Sequence, residues 1–194
     1  MRIAIFGGTF DPPHIGHLIL AQSLINSLTI EKVLFIPVYI PPHKVDRNIT
    51  DSEKRIKMLH LSIDDNPKFE VSLIEIERKG VSYSIDTINQ IREKYKLKKD
   101  ELFFAIGSDS IVEFNIWKSP MEILNKSTVV VFPRPGFELS QVKKEYREKS
   151  IFLKTPLIDI SSRMIREMVK KGLDIKYLVT EKVYDFIKKN KLYR

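Results

Sequence analysis

The first seventeen residues constrain the fold of this chain most strongly. Residues 2–6, Arg-Ile-Ala-Ile-Phe, form a short apolar run with β-branched members, which is typical of a buried strand. The next stretch, residues 7–13, contains too much glycine and proline to continue a strand or to start a helix early. Residues 14–17, His-Ile-Gly-His, then open a stripe of apolar residues with helical spacing. The members of that stripe are Leu18, Ala21, Ile25 and Leu28. The order strand, glycine turn, helix predicts that this turn lies at the carboxyl edge of a sheet.

The composition of this turn indicates an anion site. The start of a helix after a strand offers free backbone N–H groups and a positive dipole end, both of which favour phosphate. Gly7 and Gly8 allow a close backbone approach that a Cβ would block. His14 and His17 are three positions apart, so both rings lie on one helix face and can donate hydrogen bonds to phosphate oxygens. The G-x-G-x-x-G and G-x-x-x-x-G-K-[ST] patterns are absent, which argues against hydride transfer and against a P-loop.

Residues 7–17, Gly-Gly-Thr-Phe-Asp-Pro-Pro-His-Ile-Gly-His, resemble the G-x-F-x-P-x-H-x-G-H signature of the nucleotidyltransferases. The Gly-Gly-Thr-Phe-Asp-Pro form is most similar to the bacterial nicotinate-nucleotide adenylyltransferase family. That resemblance implies an enzyme that transfers AMP from ATP to nicotinate mononucleotide, giving deamido-NAD and pyrophosphate. An ordinary βα turn with incidental histidines is the competing interpretation, and eleven consecutive matching residues disfavour it.

Composition sets the class of protein. With 194 residues, we expect a single domain over residues 1–194. No apolar run approaches the roughly 20 residues of a membrane span, and residues 1–6 lead directly into the motif, so we expect a cytoplasmic protein without a signal peptide. The absence of cysteine excludes thiolate nucleophiles and zinc–thiolate sites. The net charge of +8 favours a lysine-rich solvated surface, or a field that attracts ATP, over a nucleic-acid interface.

Between the motifs, local patterns predict further elements. Residues 32–37 predict a second buried strand, which completes a βαβ unit. Thr50 and Glu53 form a capping box, after which Arg55 is expected on the polar side of a helix and His60 as a partly buried structural residue. The alternation within residues 73–77 predicts an extended segment with Glu75 and Glu77 at the surface.

The resemblance also assigns a site for the mononucleotide. Its residues here are His43, Lys44, Ser84, Asp109, Trp117 and Lys118. His43 and Lys44 belong to a P-P-H-K element that faces the mononucleotide phosphate in the family. Ser84, expected as a helix N-cap, and Lys118 would offer backbone N–H groups to the nicotinate carboxylate, while Trp117 would stack on the pyridine ring. Asp109 follows a strand and a glycine, where an aspartate commonly accepts hydrogen bonds from ribose hydroxyls.

A second phosphate site is expected near the end of the chain. Residues 160–166, Ile-Ser-Ser-Arg-Met-Ile-Arg, resemble the I-S-S-T-x-I-R signature that binds the triphosphate, with Arg163 in place of the usual threonine. Ser161 and Ser162 are N-cap candidates, and Arg166 lies in the first turns of the helix. Arg134, in an R-P-G element, would reach adenine or phosphate. The expected ATP-binding residues are Gly7, Gly8, Thr9, Phe10, Arg134, Ser161 and Ser162, with His14, His17 and Arg166 as catalytic residues.

Together these patterns predict a Rossmann-like, doubly wound parallel sheet with a C-terminal helical portion. In such a fold both phosphate motifs lie at one sheet edge and hold one triphosphate between them, with Mg²⁺ accompanying ATP. A sister transferase acting on nicotinamide mononucleotide, phosphopantetheine or a CTP-dependent alcohol phosphate is the nearest alternative. An aminoacyl-tRNA synthetase is disfavoured because a K-M-S-K-S loop is absent. A nucleotide-binding regulatory module and a basic nucleic-acid binder are the non-enzymatic alternatives.

Overall fold

A computed structural model describes residues 1–41 and 49–194. Within these ranges, six parallel strands form one sheet in the order β3-β2-β1-β4-β5-β6. The strands are β1 Ile3–Gly8, β2 Lys32–Pro37, β3 Phe69–Val71, β4 Leu102–Gly107, β5 Thr128–Phe132 and β6 Ser150–Phe152. The strand order reverses between β1 and β4, which is the switch point of a doubly wound sheet. The fold class predicted from the sequence is therefore confirmed.

Helices cover both faces of the sheet and extend beyond it. They are α1 Ile15–Leu28, α2 Ser52–Ile63, α3 Ile74–Arg78, α4 Ser84–Tyr95, α5 Ser108–Val112, α6 Pro120–Lys126, α7 Lys144–Glu148, α8 Ser162–Lys170 and α9 Glu181–Lys189. Short 3₁₀ turns lie at Lys99–Glu101, Phe114–Ile116 and Leu139–Gln141. No helix in the described ranges is long and apolar enough to cross a membrane.

The central strand β1 contributes to two separate cores because its side chains alternate between the sheet faces. Ile3 and Ile5 pack with residues of α4 and α6 on one face. Ala4 and Phe6 pack with residues of α1 and α2 on the other face. A strand that is buried on both sides reads as a continuous apolar run, which is why residues 2–6 were recognisable in the sequence.

The C-terminal helices form a third apolar cluster, which is built on α2 and not on the sheet. Met58 of α2 packs with Ile165 of α8 and with Val183 and Ile187 of α9. This arrangement confirms the predicted C-terminal helical portion. It also brings the start of α8, where the sequence predicts a phosphate site, to the side of the molecule where β1 ends, because Ser162 donates a hydrogen bond to the Pro12 carbonyl.

Two local predictions were wrong. The segment expected to be extended at residues 73–77 contains the short helix α3. Four residues alternating between isoleucine and glutamate, 74–77, satisfy a strand pattern as well as one helical turn, so periodicity alone could not decide. The N-cap of α2 is Asp51, not Thr50, since the Asp51 side chain accepts a hydrogen bond from the Glu53 N–H.

The orientation of α1 determines which of its residues are buried, and this leads to a prediction about stability. Leu24 is fully buried in the core under the sheet, whereas Ile25, the next residue, is only partly buried. Leu24→Ala should lower the free energy of unfolding by about 2–5 kcal/mol, because it removes apolar contacts and leaves a cavity. Ile25→Ala is the matched control and should cost clearly less, as measured by urea denaturation of both variants. Equal losses for the two variants would contradict the packing described here.

Candidate active site

Two cavities open at the carboxyl edge of the sheet. The first, here called the switch-point cavity, measures about 400 Å³ and lies where β1 and β4 end. Its polar and aromatic lining comes from Thr9, His17, Glu75, Ser82, Tyr83, Ser84, Thr87, Asp109, Ser110, Trp117, Lys118 and Arg134. Its position matches the place where doubly wound folds bind ligands.

The second cavity, here called the arginine cavity, measures about 300 Å³ and lies between the turn after β1 and the start of α8. It is lined by Thr9, Phe10, Asp11, His14, His17, Ile49, Arg134, Ser161, Ser162, Arg163 and Arg166. Three arginines and two serines in so small a volume favour a ligand with several negative charges.

Thr9, His17 and Arg134 line both cavities. These three residues therefore form a common wall, and groups bound in the two cavities would meet beside it. The apolar and aromatic surface lies mainly on one side of this wall, and the cationic surface lies mainly on the other.

The two histidines of the motif are stacked on each other. Their ring centroids lie 3.7 Å apart with an interplanar angle of 29°. The His14 backbone N–H donates a hydrogen bond of 3.1 Å to Nδ1 of His17. Gly16 permits this arrangement, because a Cβ at that position would come within 3.0 Å of the His14 ring and 2.9 Å of Ile158. Phe10 packs edge-on against His17, with the ring centroids 5.0 Å apart.

Both imidazoles are held in the neutral form. Burial, followed by the charge of Arg134, lowers the pKa of His14 to about 4. Burial also lowers the pKa of His17 well below its usual value, assisted by His14 and Arg134. Because Nδ1 of His17 accepts a hydrogen bond, the neutral ring carries its proton on Nε2. His17 is thus a fixed, uncharged hydrogen-bond donor at the common wall.

The amides at the start of α1 are less available than the sequence suggested. The Ile15 N–H donates to the Leu178 carbonyl at 2.9 Å, and the His17 N–H donates to the His14 carbonyl at 2.9 Å. With the His14 N–H bound to His17, these amides are already used within the protein. The side chains of this turn, not its amides, are the stronger candidates for ligand contacts.

Arg134 is the charged member of the common wall. Its backbone N–H donates to the Ser108 hydroxyl at 2.8 Å, which attaches the loop after β5 to the start of α5. Its Nε is buried and has no hydrogen-bond partner among the described residues, and the same holds for Oδ1 of Asp109. A Cβ at Gly107 would displace the Asp109 carboxylate and lie 3.2 Å from Arg134 Nε. Gly107, Asp109 and Arg134 all line the switch-point cavity, so the two buried polar atoms lie beside it.

The backbone of the turn after β1 is held by side chains from distant elements. Arg55 is only 2% exposed and donates to the carbonyls of Thr9 and Thr50, each at 2.9 Å. Arg55, which was predicted on the polar side of the helix, is therefore buried, and His60, which was predicted to be partly buried, is exposed. Arg166 donates to the Asp11 carbonyl at 2.7 Å and Ser162 to the Pro12 carbonyl at 2.8 Å.

The start of α8 has the features of an anion site. Ser161 is the N-cap and accepts a hydrogen bond of 3.1 Å from the Met164 N–H. Ser162 is the first helical residue, and among the described residues its amide and that of Arg163 have no protein acceptor. Arg163 is exposed and pairs with Glu167 at 3.0 Å, yet its side chain also lines the arginine cavity.

The other end of the switch-point cavity is aromatic. Trp117 packs against Phe114 and Phe104, with ring centroids 5.2 Å and 6.2 Å away. The Lys118 ammonium lies 4.5 Å from the Tyr83 ring centroid and 3.0 Å from the Asp86 carboxylate. Tyr83 is the N-cap of α4 and Ser84 its first helical residue, so the helix begins one position earlier than the predicted N-cap at Ser84 implied. Aromatic side chains beside a helix start suit an aromatic acid.

Glu75 is a cavity residue that the sequence analysis placed wrongly at the surface. It is 6% exposed and lines the switch-point cavity. The Thr87 hydroxyl donates to its Oε1, while its Oε2 has no partner among the described residues. Burial raises the pKa of Glu75 despite the hydrogen bonds from Thr87 and Ser82 and the nearby Arg78. Its position on a helix, which the alternating pattern concealed, explains why it was missed.

Nearly all residues singled out in the sequence lie around these two cavities. Gly7, Gly8, Ser84, Asp109, Trp117 and Lys118 line the switch-point cavity; Phe10, His14, Ser161, Ser162 and Arg166 line the arginine cavity. Gly8 is constrained by Phe10, whose ring lies 3.0 Å from where a Cβ would be, whereas Gly7 has open space there. His43 and Lys44 lie outside the described residues. Tyr83, Thr87 and Glu75 are lining residues that the sequence analysis did not identify.

The neutral histidines make stability depend on pH. In the unfolded chain, a histidine takes up its proton near pH 6.5, whereas folded His14 does so only near pH 4. The unfolded state thus binds more protons between these values, so the free energy of unfolding falls as the pH falls from 6.5 to 4. The slope from His14 is at most about 1.4 kcal/mol per pH unit. His14→Asn should reduce this slope in urea denaturation measured at several pH values; an unchanged slope would contradict the burial described here.

Comparison with known proteins places the chain in a family. Residues 5–168 match the family model described as cytidylyltransferase-like. A probable nicotinate-nucleotide adenylyltransferase of Clostridium tetani is 44% identical, with 98% of each chain covered. The nicotinate-nucleotide adenylyltransferase of Bacillus subtilis is 40% identical over 99% of this chain and 98% of its own.

Solved structures show the same fold. The nicotinic acid mononucleotide adenylyltransferase of Plasmodium falciparum, complexed with NaAD, superposes with a TM-score of 0.80 at 21% identity, covering 99% of this chain and 97% of its own. The same enzyme complexed with APC gives a TM-score of 0.79 at 19% identity, covering 99% and 96%. The resemblance carried by residues 7–17 is thereby confirmed: this chain belongs to the cytidylyltransferase-like family and, within it, to the nicotinate-nucleotide adenylyltransferases.

Proposed function

We propose that this protein transfers AMP from ATP to nicotinate mononucleotide, releasing pyrophosphate and forming deamido-NAD. The observation that carries the proposal is the common wall of Thr9, His17 and Arg134 between an aromatic cavity and a cationic one. The names of the relatives, at about 40% identity over almost the whole chain, support this reaction.

The chemistry of each cavity favours one substrate. The switch-point cavity suits the mononucleotide, because Trp117 offers a π face to the pyridine ring and the start of α4 offers N–H groups to the carboxylate. Asp109, with its unpartnered Oδ1, suits the ribose hydroxyls. The arginine cavity suits the triphosphate, because Arg166, Ser162 and the N-terminus of α8 converge there.

In the proposed reaction, a phosphate oxygen of the mononucleotide attacks the α-phosphorus of ATP in line with the leaving group. A new bond forms between that oxygen and the α-phosphorus, and the bond from the α-phosphorus to the αβ-bridging oxygen breaks. The electron pair leaves with pyrophosphate. Such a transfer depends on positioning and charge neutralisation, so we expect no covalent enzyme intermediate.

Each residue of the wall has a role in this scheme. His17, neutral and with its proton on Nε2, would donate a hydrogen bond to the α-phosphate and stabilise charge that develops there. His14 would support it from the stacked position and contact the bridging oxygen. Arg134 would neutralise charge at the reacting phosphate, while Arg166 and the Ser162 amide would hold the β- and γ-phosphates. Gly7, which has open space at its Cα, would let a substrate approach the backbone.

We also propose that ATP enters as its magnesium complex. The arginine cavity presents hydroxyl, amide and guanidinium groups around the expected polyphosphate. Within residues 1–41 and 49–194, no group of three or more His, Asp or Glu side chains could hold a metal. Phosphate oxygens and water would supply most of the metal ligands, and bound magnesium would offset negative charge on the triphosphate. The cytoplasmic location and the contacts of His43 and Lys44 with the mononucleotide phosphate remain parts of this proposal.

The experiment that tests the function compares acceptors. Pyrophosphate release from magnesium-ATP is measured with nicotinate mononucleotide, nicotinamide mononucleotide and phosphopantetheine at equal concentrations. The proposal expects the highest kcat/KM with nicotinate mononucleotide, and deamido-NAD as the product by mass. A higher kcat/KM with another acceptor would assign the enzyme to a sister reaction. ATP binding without pyrophosphate release from any acceptor would support a regulatory module instead.

Removal of the imidazole donor tests the mechanism. His17→Ala should lower kcat on the order of 10²–10³-fold, because one preorganised donor to transition-state charge is lost. His60→Ala removes an exposed imidazole from α2 and should retain wild-type kcat. Pyrophosphate release is measured for both variants, after circular dichroism has shown that they are folded. Near-normal turnover by His17→Ala would refute the role assigned to His17.

A further inference from the structure

One buried carboxylate has no part in the proposed reaction. Asp11 lies in the turn between β1 and α1 and is 2% exposed. Its Oδ1 accepts a hydrogen bond of 2.8 Å from the Tyr193 hydroxyl, and its Oδ2 accepts one of 3.2 Å from the Thr50 N–H. A buried carboxylate is costly unless its oxygens are bound, so these two donors stabilise the Asp11 side chain in its buried position.

Tyr193, which contacts Asp11, lies 182 positions later in the sequence. The chain after α9 passes through left-handed backbone at Lys191 and Tyr193, with φ of 50° and 64°. This turn packs the Tyr193 ring against the α2–α8–α9 cluster and leaves its hydroxyl 3.9 Å from Met58 Sδ. Burial and the adjacent Asp11 charge raise the pKa of the Tyr193 hydroxyl, which keeps it protonated as a donor.

The backbone of Asp11 also accepts a hydrogen bond from Arg166. Nη1 of Arg166 donates to the Asp11 carbonyl at 2.7 Å, so the position of this catalytic candidate depends on the Asp11 backbone. Tyr193 itself lies behind the arginine cavity, where it lines a neighbouring surface groove with Arg163, Arg166 and Lys170. A displacement of Asp11 would thus move Arg166 and the side of the arginine cavity that Asp11 lines.

We propose that Tyr193 is a positioning residue for the triphosphate. By holding the Asp11 carboxylate, it fixes the turn on which Arg166 rests, without touching substrate itself. The inference rests on the proposed function, in that the arginine cavity is taken as the ATP side of the site. It follows that loss of the hydroxyl weakens ATP binding and spares the mononucleotide, because neither Asp11 nor Arg166 lines the switch-point cavity.

The test is Tyr193→Phe, which removes the hydroxyl and keeps the ring. We expect the KM for magnesium-ATP to rise by about 3- to 10-fold, the usual net effect of losing one intramolecular hydrogen bond. The KM for nicotinate mononucleotide should stay within about 2-fold of wild type. Tyr184→Phe is the matched control, since it makes the same chemical change on α9 and should alter neither KM. Equal rises in both KM values, or a Tyr193→Phe enzyme identical to Tyr184→Phe, would overturn the proposal.

Asp11→Asn provides a second, independent variant. It should also raise the KM for ATP selectively, and the double variant with Tyr193→Phe should show less than the product of the single effects, because both changes act on one hydrogen bond. Multiplicative effects would mean that the contact between the two residues is irrelevant to ATP. Denaturation midpoints of all variants are measured, so that each is assayed where it is folded.

The two proposals can fail separately. A wild-type protein that releases no pyrophosphate with any acceptor would refute the proposed function and leave Tyr193 testable through calorimetric titration with a non-hydrolysable ATP analogue. An active wild-type enzyme combined with an unchanged KM for ATP in Tyr193→Phe would refute only the role of Tyr193.

Discussion

The site depends on how the turn after β1 satisfies its own backbone. This turn leaves the strand pattern at Thr9, so its carbonyl groups lose the sheet partners that β1 residues have. A buried carbonyl without a partner is costly, and three of them here are bound by side chains. The Arg55 side chain donates a hydrogen bond to the Thr9 carbonyl. Arg166 donates to the Asp11 carbonyl, and the Ser162 hydroxyl donates to the Pro12 carbonyl. Because the donors come from α2 and α8, the need to satisfy this turn also assembles the arginine cavity.

Burial and the neighbouring Arg134 explain why the two histidines beside the arginine cavity are neutral. Arg134 and burial disfavour a charge on either imidazole, so the histidines stay uncharged while the cavity is otherwise positive. A neutral donor stabilises developing negative charge without adding to the mutual repulsion of the arginines. A bound phosphate would reverse part of this balance, because a nearby anion raises the pKa of an imidazole. The histidines are therefore sensitive to the charge of the ligand beside them, not only to solvent pH.

Features that lie within one short stretch of sequence were predicted, whereas contacts between residues far apart in the sequence were missed. Residues 7–17 and 160–166 were found because each combines a turn, a helix start and its polar residues in one short stretch. The burial of Arg55 could not be predicted, since the carbonyl that it binds belongs to Thr9, 46 positions earlier. The amides of α1 looked free for a similar reason, because Leu178 accepts from Ile15 only once the chain has folded back. Glu75 was missed because the four alternating residues 74–77 fit a strand and a helical turn equally well.

The separation of the two cavities has a consequence for how the reaction is controlled. On the proposed assignment, the mononucleotide side is built on α4, β4, the segment around Trp117 and the end of β1, whereas the triphosphate side is built on α8 and the turn after β1. Only Thr9, His17 and Arg134 belong to both among the described residues. Changes on one side should thus alter the affinity for one substrate, while changes at the common wall should alter the rate of the step that joins them. On this assignment, substitutions at Tyr83, Glu75 or Trp117 can change the acceptor specificity without disturbing the residues proposed to bind ATP.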